Sequence, residues 1–469
     1  MKRSGLVVAL VAVCVLAGAC SRSSSNKPAA TTAAPATTAA GSATTAAANP
    51  CTGATLQATD VGVTPTDITI EVMADVGSPL APGLFQGNLD GVTAFANYVN
   101  AHGGIACRQL KVKTWDSKLD PTESKNGLID ACANALAMVG NNALFNPDVS
   151  PMTNCVDKTG AATGLPDIAA LANDHNEQCA PTTFVIQNVD ATCPIQQGVA
   201  PWKAMVGQDK WYLQQVPGLH GIYMVPGDLP TTAQSATYNI AAQQQVGGIT
   251  WDATPKVSGL DAQPAYTPRV QLIKAKGSTF VYDGSNDVAM IRMRKESNAQ
   301  GVTSVKVWAC SLACYTNAFI PQGGSDVEGT YLWMQFLPFE EASTNAADQA
   351  FVTAMGSKLT SWGAQAWQAG MAFQQAVNSI VAQSGPNAVT RAKLLAALKG
   401  MTNFTADGWL GQGKSLQGPG SFGPCFVMLQ VQNGKFVRVY PAKPGTMDCN
   451  ASNVTTVSLD PVAEAAKLK

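Results

Sequence analysis

The stretch Ile68-Thr69-Ile70-Glu71-Val72-Met73 decides the fold class. Ile68, Ile70 and Val72 alternate with other residues, the period of a strand. A loop from Ala74 to Pro82 follows, and then the period changes. Leu84, Leu89, Val92, Phe95 and Val99 share one face of a helix from about Leu84 to Ala101, which Gly103-Gly104 ends. Leu110-Lys111-Val112-Lys113-Thr114-Trp115 is a second strand. Pro121 opens another helix, to about Leu136, and Met138-Val139-Gly140 is a third strand at its exit.

The alternation continues downstream. Phe184-Val185-Ile186, Gly221 to Val225, Thr279 to Tyr282 and Val305 to Trp308 read as strands. Thr231–Gln245, Pro268–Lys276 and Asp287–Ala299 read as helices between them. Strand and helix in turn mean an α/β fold, with parallel sheets covered on both faces. About 380 residues of it exceed one sheet, so two lobes are expected. Trp362 to Ala382 is a strongly periodic helix. Cys425 to Val431 and Lys435 to Val439 flank Asn433-Gly434, a hairpin signal.

The start of the chain reads differently. Lys2 and Arg3 precede a short apolar run, Leu6 to Leu16, and the small residues Ala17-Gly18-Ala19 lead to Cys20. That is signal-peptide anatomy, too short for a spanning helix. Leu16-Ala17-Gly18-Ala19-Cys20 resembles a bacterial lipobox, which implies removal of residues 1–19 and lipid on Cys20. Residues 20–50 are almost wholly Ala, Thr, Ser and Pro, a solvated tether of roughly 30 Å.

Composition narrows the function. Charged residues make up 13% and the net charge is −1, with no basic stripe, so a nucleic-acid partner is not expected. Of 12 cysteines, Cys14 and Cys20 belong to the leader region; the others are Cys51, Cys107, Cys132, Cys155, Cys179, Cys193, Cys310, Cys314, Cys425 and Cys449. An even set in an exported chain reads as disulfides, and spacing alone fixes no pairing. The preferred pairs are Cys107–Cys132 and Cys425–Cys449, the second spanning the hairpin. No Cys-x-x-Cys occurs and only 3 His exist, so neither a metal nor a cofactor is expected. Gly-x-Ser-x-Gly, Walker and His-Glu-x-x-His motifs are missing, and no catalytic residue is assigned. Asp174-His175-Asn176-Glu177 reads as a polar surface loop.

Four stretches carry a family resemblance. Gly77-Ser78-Pro79-Leu80-Ala81-Pro82 with Asn100-Ala101-His102-Gly103-Gly104-Ile105 is the first. Asp116 with Asp120-Pro121 is the second. The third is Tyr266-Thr267-Pro268 through Ile273-Lys274, Phe280-Val281-Tyr282 and Ile291-Arg292. Ala364-Gln365-Ala366-Trp367 with Gly418-Pro419-Gly420-Ser421-Phe422 is the fourth. In order, they resemble the branched-chain-amino-acid-type substrate-binding proteins of ABC transporters. The resemblance implies a type I periplasmic-binding fold, two Rossmann-like lobes with parallel sheets joined by a three-crossover hinge. The lobes are expected at 66–190 plus 328–400 and at 191–327 plus 401–449, with a tail at 450–469. It further implies a small-molecule ligand between the lobes, an ABC permease as partner and no enzymatic activity, and the lipobox-like stretch implies a membrane anchor through Cys20. A monomer outside the cytoplasmic membrane is expected.

Ligands of open parallel sheets sit at the carboxyl ends of the strands. The exit loops offer Ser78 and Phe85, then Asn141, Asn142 and Phe145. The family usually has Ser or Thr where Asn141 and Asn142 stand. After Pro166, Ala169 to Ala172 bring no hydroxyl, and Ala169 has only backbone or apolar surface to give. The second lobe offers Asp283 and Trp308. Asp283 is either a partner for a ligand ammonium or a helix N-cap. The expected ligand is a small polar or amphipathic metabolite of the amino-acid or amide kind. A ligand-sensing surface lipoprotein without a permease is the alternative job on the same fold.

Overall fold

The computed structural model describes Cys51 and residues 53–468; the leader, Cys20 and the tether lie outside the described residues. The first lobe opens with β1 (Asp67–Ala74), α1 (Gln86–Ala101), β2 (Gln109–Asp116), α2 (Pro121–Asn134), β3 (Ala137–Val139), α3 (Ser150–Thr153), β4 (Asp167–Ala169), α4 (His175–Gln178) and β5 (Thr183–Val185). Their strands form one parallel sheet in the order β2-β1-β3-β4-β5. α1 starts two residues later than its apolar pattern suggests. Leu84 and Phe85 instead form a turn, with Phe85 N donating to the Asp75 carbonyl at 3.1 Å. Asp120 caps α2 by accepting from the backbone of Thr122 at 2.8 Å and Glu123 at 3.0 Å, ahead of Pro121.

The chain then crosses over. β6 (Ala200–Met205), α5 (Gly207–Gln215), β7 (Leu219–Pro226), α6 (Pro230–Val246), β8 (Ile249–Ala253), β9 (Lys256–Val257), α7 (Thr267–Lys276), β10 (Phe280–Asp283), α8 (Asp287–Ala299), β11 (Val307–Cys310), α9 (Phe319–Gly323) and β12 (Tyr331–Met334) follow. A second crossing leads to α10 (Ala346–Met355), α11 (Ser361–Ser384) and α12 (Arg391–Gly400), and α10 and α11 pack on α1. The third crossing brings β13 (Val427–Gln432) and β14 (Lys435–Tyr440), the hairpin around Asn433-Gly434. The second sheet runs β14-β13-β12-β11-β10-β7-β8, with β9 on β7.

β12 corrects one expected boundary. It pairs parallel with β11 and antiparallel with β13, so the return to the first lobe lies after Met334, not at 328. The expected tail at 450–469 is corrected too. β15 (Val454–Leu459) pairs antiparallel with β6 along six residues, and α13 (Pro461–Ala465) follows. Its Val457 is buried beside Trp202, which stacks on Tyr238 at 5.2 Å.

Three close approaches hold the first lobe. α1 and α11 meet where a Cβ on Gly91 would stand 2.5 Å from the Gly363 carbonyl oxygen, so only glycine fits there. The buried guanidinium of Arg391 donates to the carbonyls of Val156 at 2.6 Å, Cys132 at 2.7 Å and Ala135 at 2.5 Å. Arg108 does similar work at the other edge, donating to Thr64 at 2.7 Å and Pro386 at 2.9 Å.

Among the described residues the cysteines pair as Cys51–Cys107, Cys132–Cys155, Cys179–Cys193, Cys310–Cys314 and Cys425–Cys449. The expected Cys107–Cys132 pair is therefore wrong and Cys425–Cys449 is present. Cys107 lies in the turn before β2 and Cys132 on α2, where α3 brings Cys155 to it with Cα atoms 5.7 Å apart.

Candidate functional site

The carboxyl ends of the two sheets face one cavity of about 670 Å³, with walls from both lobes. That volume is in the usual range for small-molecule sites, about 300–1,000 Å³. Beside it the lobes touch. Thr231 Oγ1, in the first turn of α6, donates to the Leu144 carbonyl at 3.3 Å. A Cβ on Gly259 would stand 2.0 Å from the Leu80 carbonyl oxygen.

On the first-lobe side the exit loops are tied to one another. Buried Asp75 accepts from Ser117 Oγ at 2.6 Å, Leu119 N at 2.7 Å and Leu144 N at 2.8 Å. Burial raises its carboxyl above the ordinary range, by more than these three donors lower it. Asn141 bridges strands: Oδ1 accepts from Met73 N at 2.8 Å, and Nδ2 donates to Asp167 Oδ1 at 2.8 Å. Burial lifts Asp167 to about 7. The Asn141 carbonyl accepts from both Ala170 N and Leu171 N. Leu80, Leu84, Phe85, Leu119, Leu144 and Leu171 make most of this wall, with Trp362 edge-on to Phe85 at 5.1 Å, while Gln86, Asp90, Asn173, Lys358 and Thr360 add polar groups at it.

The second-lobe side is richer in polar groups, although Leu229 and Val288 also line it. Tyr223, Asp228, Thr232, Ser285, Asp287 and Arg292 line it, together with Ser311 beyond β11. Asn286 caps α8 by accepting from Ala289 N at 3.0 Å. The Cys310–Cys314 disulfide closes the turn whose Ser311 and Ala313 form part of the wall.

Of the residues picked from the sequence, Phe85 lines the cavity. Ser78 is buried below the loop, accepting from Leu80 N at 3.3 Å. Asn142 is buried and points to Asn88 Oδ1 at 3.4 Å, and Ala169 is in the core. Leu144, not Phe145, is the cavity residue of its loop. Trp308 packs beneath Arg294, whose guanidinium is 4.6 Å from the ring centre. Asp283 does not cap α8. Its Oδ1 accepts from Ser285 N at 2.8 Å, while Oδ2 is buried without a partner. Burial drives this carboxyl well above the ordinary range, toward its neutral form. Asp283, Cys310 and Cys314 place their ligand-type atoms within 4.8 Å of one another, but the two sulfurs are bonded to each other.

Sequence reasoning passed over Arg292, Gly259 and most of the leucines. The leucines carried a signal, since each follows a strand exit, but isolated leucines there read equally as core. Gly259 had none, because its role depends on the other lobe.

Residues 67–435 match the sequence profile of the family described as Periplasmic binding protein. No curated protein matches. Among solved structures, a leucine-binding protein from Thermotoga maritima superposes with a TM-score of 0.60 at 13% identity, covering 79% of this chain and 97% of that one. A substrate-binding protein of an ABC transporter from Aeropyrum pernix gives 0.64 at 11%, covering 86% and 100%. A fatty acid ABC transporter substrate-binding protein from Thermomonospora curvata gives 0.61 at 15%, covering 82% and 97%. Identities this low establish the shared fold alone, whereas the profile spans most of the sequence; the chain belongs to the periplasmic binding protein family.

Proposed function

We propose that the chain captures a small molecule between its lobes and delivers it to an ABC permease, tethered through a lipidated Cys20 to the outer face of the cytoplasmic membrane. The observation that carries this reading is the cavity at the strand exits, walled by both lobes, which touch beside it at Thr231–Leu144 and Gly259–Leu80. A ligand filling it contacts both walls at once, so it favours the closed arrangement by its differential affinity. No covalent step is involved.

Thermal unfolding of the purified chain against amino acids, amides, polyamines and small acids tests the reading. A solute at a hundred times its dissociation constant adds about 2.7 kcal/mol, a shift of several degrees. Silence across a broad solute panel sinks solute capture. Uptake of the binding solute that persists after deletion of the gene sinks delivery to a permease and leaves a sensing receptor in its place. Retention of a Cys20→Ala chain in the membrane fraction sinks the anchor.

A further inference from the structure

Two cations line the cavity: Lys358, exposed and paired with Asp90, and Arg292, whose guanidinium has donors to spare. Arg292 on α8 gives Nη1 to the Asp261 carbonyl, and the carboxylate beside it is taken, because Asp261 Oδ2 pairs with Arg269 at 2.8 Å. The other charges lining the cavity are already engaged. Asp228 accepts from Ser258 Oγ at 2.5 Å and Gly259 N at 2.8 Å. Asp287 accepts from Thr316 Oγ1 at 2.7 Å and Val288 N at 2.9 Å, and Asp90 pairs with Lys358 at 3.1 Å. Opposite Arg292 stands the leucine wall, whose backbone N–H groups at Phe85, Leu119, Leu144 and Leu171 are all donated inside the lobe.

An α-amino acid needs donors for its carboxylate and acceptors for its ammonium within a few ångströms of each other. The acidic groups of this cavity already hold donors, and the loop amides of the leucine wall are spent, which leaves the Asn173 amide as the buried unpartnered donor on that side. An apolar body with a single anionic end fits both walls: aliphatic carbon against leucine, anion against a guanidinium that can take it through two N–H groups.

Resting on the solute-binding reading, we propose that the ligand is an amphipathic acid, with an aliphatic chain against the first lobe and a carboxylate on Arg292.

Calorimetric titration of the full chain with hexanoate, octanoate, octanol, octylamine and leucine tests it. Octanoate should bind most tightly of the five, and affinity should rise about fourfold per added CH₂ between hexanoate and octanoate. Arg292→Gln should weaken octanoate about tenfold and leave octanol unchanged, which also shows that the variant folds. Tighter binding of leucine or octylamine, no dependence on chain length, or an unaltered octanoate affinity in Arg292→Gln each overturns the proposal. If none of the five binds while another solute still raises the melting temperature, the ligand class falls and solute capture stands. If nothing raises it, both fall.

Discussion

The two walls of the cavity are built on the same strand-loop-helix plan and do opposite things with their polar groups. In the first lobe, Asp75 and Asn141 draw the donors at the exits of β1, β2, β3 and β4 into the protein and leave leucine outside. In the second, Ser285, Asn286 and Ser311 stay on the surface of the cavity and Arg292 reaches into it. The reason is local. A buried carboxylate such as Asp75 is stable only with donors on it, and the nearest donors are the loop amides a ligand would otherwise meet. Similar folds can therefore carry walls of different chemistry by moving a few polar side chains below or above the loop.

Contact between the walls is the first thing to break. Gly259→Ala places a methyl group 2.0 Å from the Leu80 carbonyl oxygen, a clash with backbone that only separating the lobes relieves. Affinity for the solute found by thermal screening should fall about a hundredfold, a loss of about 2.7 kcal/mol, with the melting temperature of the free chain unchanged. Unchanged affinity would show that the lobes do not close on the ligand.

Leu144→Ser attacks the first wall alone. It removes most of the burial of one leucine, about 1.5–3 kcal/mol when complete, so a tenfold or larger loss is expected. Ser311→Ala on the opposite wall should cost less than threefold. Equal losses would erase the contrast between the walls.

Asp348 separates the first lobe's stability from its ligand surface. It is buried on α10 with both carboxyl oxygens unpartnered, and burial, then the charges of Glu340 and Glu341, raise it from 3.8 to about 8. Between these values the folded chain holds a proton that the unfolded chain has lost, so this group's contribution to stability falls as pH rises toward 8. Asp348→Asn should melt a few degrees higher than the parent at pH 8, with no gain at pH 4 and no change in solute affinity. A gain at pH 4 equal to that at pH 8 would rule out the titration.

Phe85→Ala should have a smaller effect than Leu144→Ser, about threefold in affinity, since an edge-to-face pair with Trp362 contributes about 0.5–1.5 kcal/mol beyond burial. A hundredfold loss would make Phe85 a main ligand contact.

Much of the fold was legible because its signals are local. α8 spans Asp287–Ala299, as its periodicity predicts, and the hairpin turns at Asn433-Gly434. The start of α1 was not, because Leu84 has the right period but the Asp75 carbonyl holds Phe85 in a turn. The site was less legible still. Asn141 sits at a strand exit, where ligand contacts are expected, yet its amide is consumed by Met73 and Asp167. Nothing near it in the sequence identifies either partner.

Alternating periods, turn residues and caps act over a few residues, so the sequence by itself determined the α/β class, the order of the elements and the end of the sheets at which the cavity lies. Tertiary structure decided which cysteine meets Cys107, where β12 and β15 pair, which donors Asp75 takes and why position 259 carries glycine. Each of these depends on residues tens to hundreds of positions away, brought within a few ångströms by packing, and side-chain chemistry at a site is set by the neighbours that packing supplies.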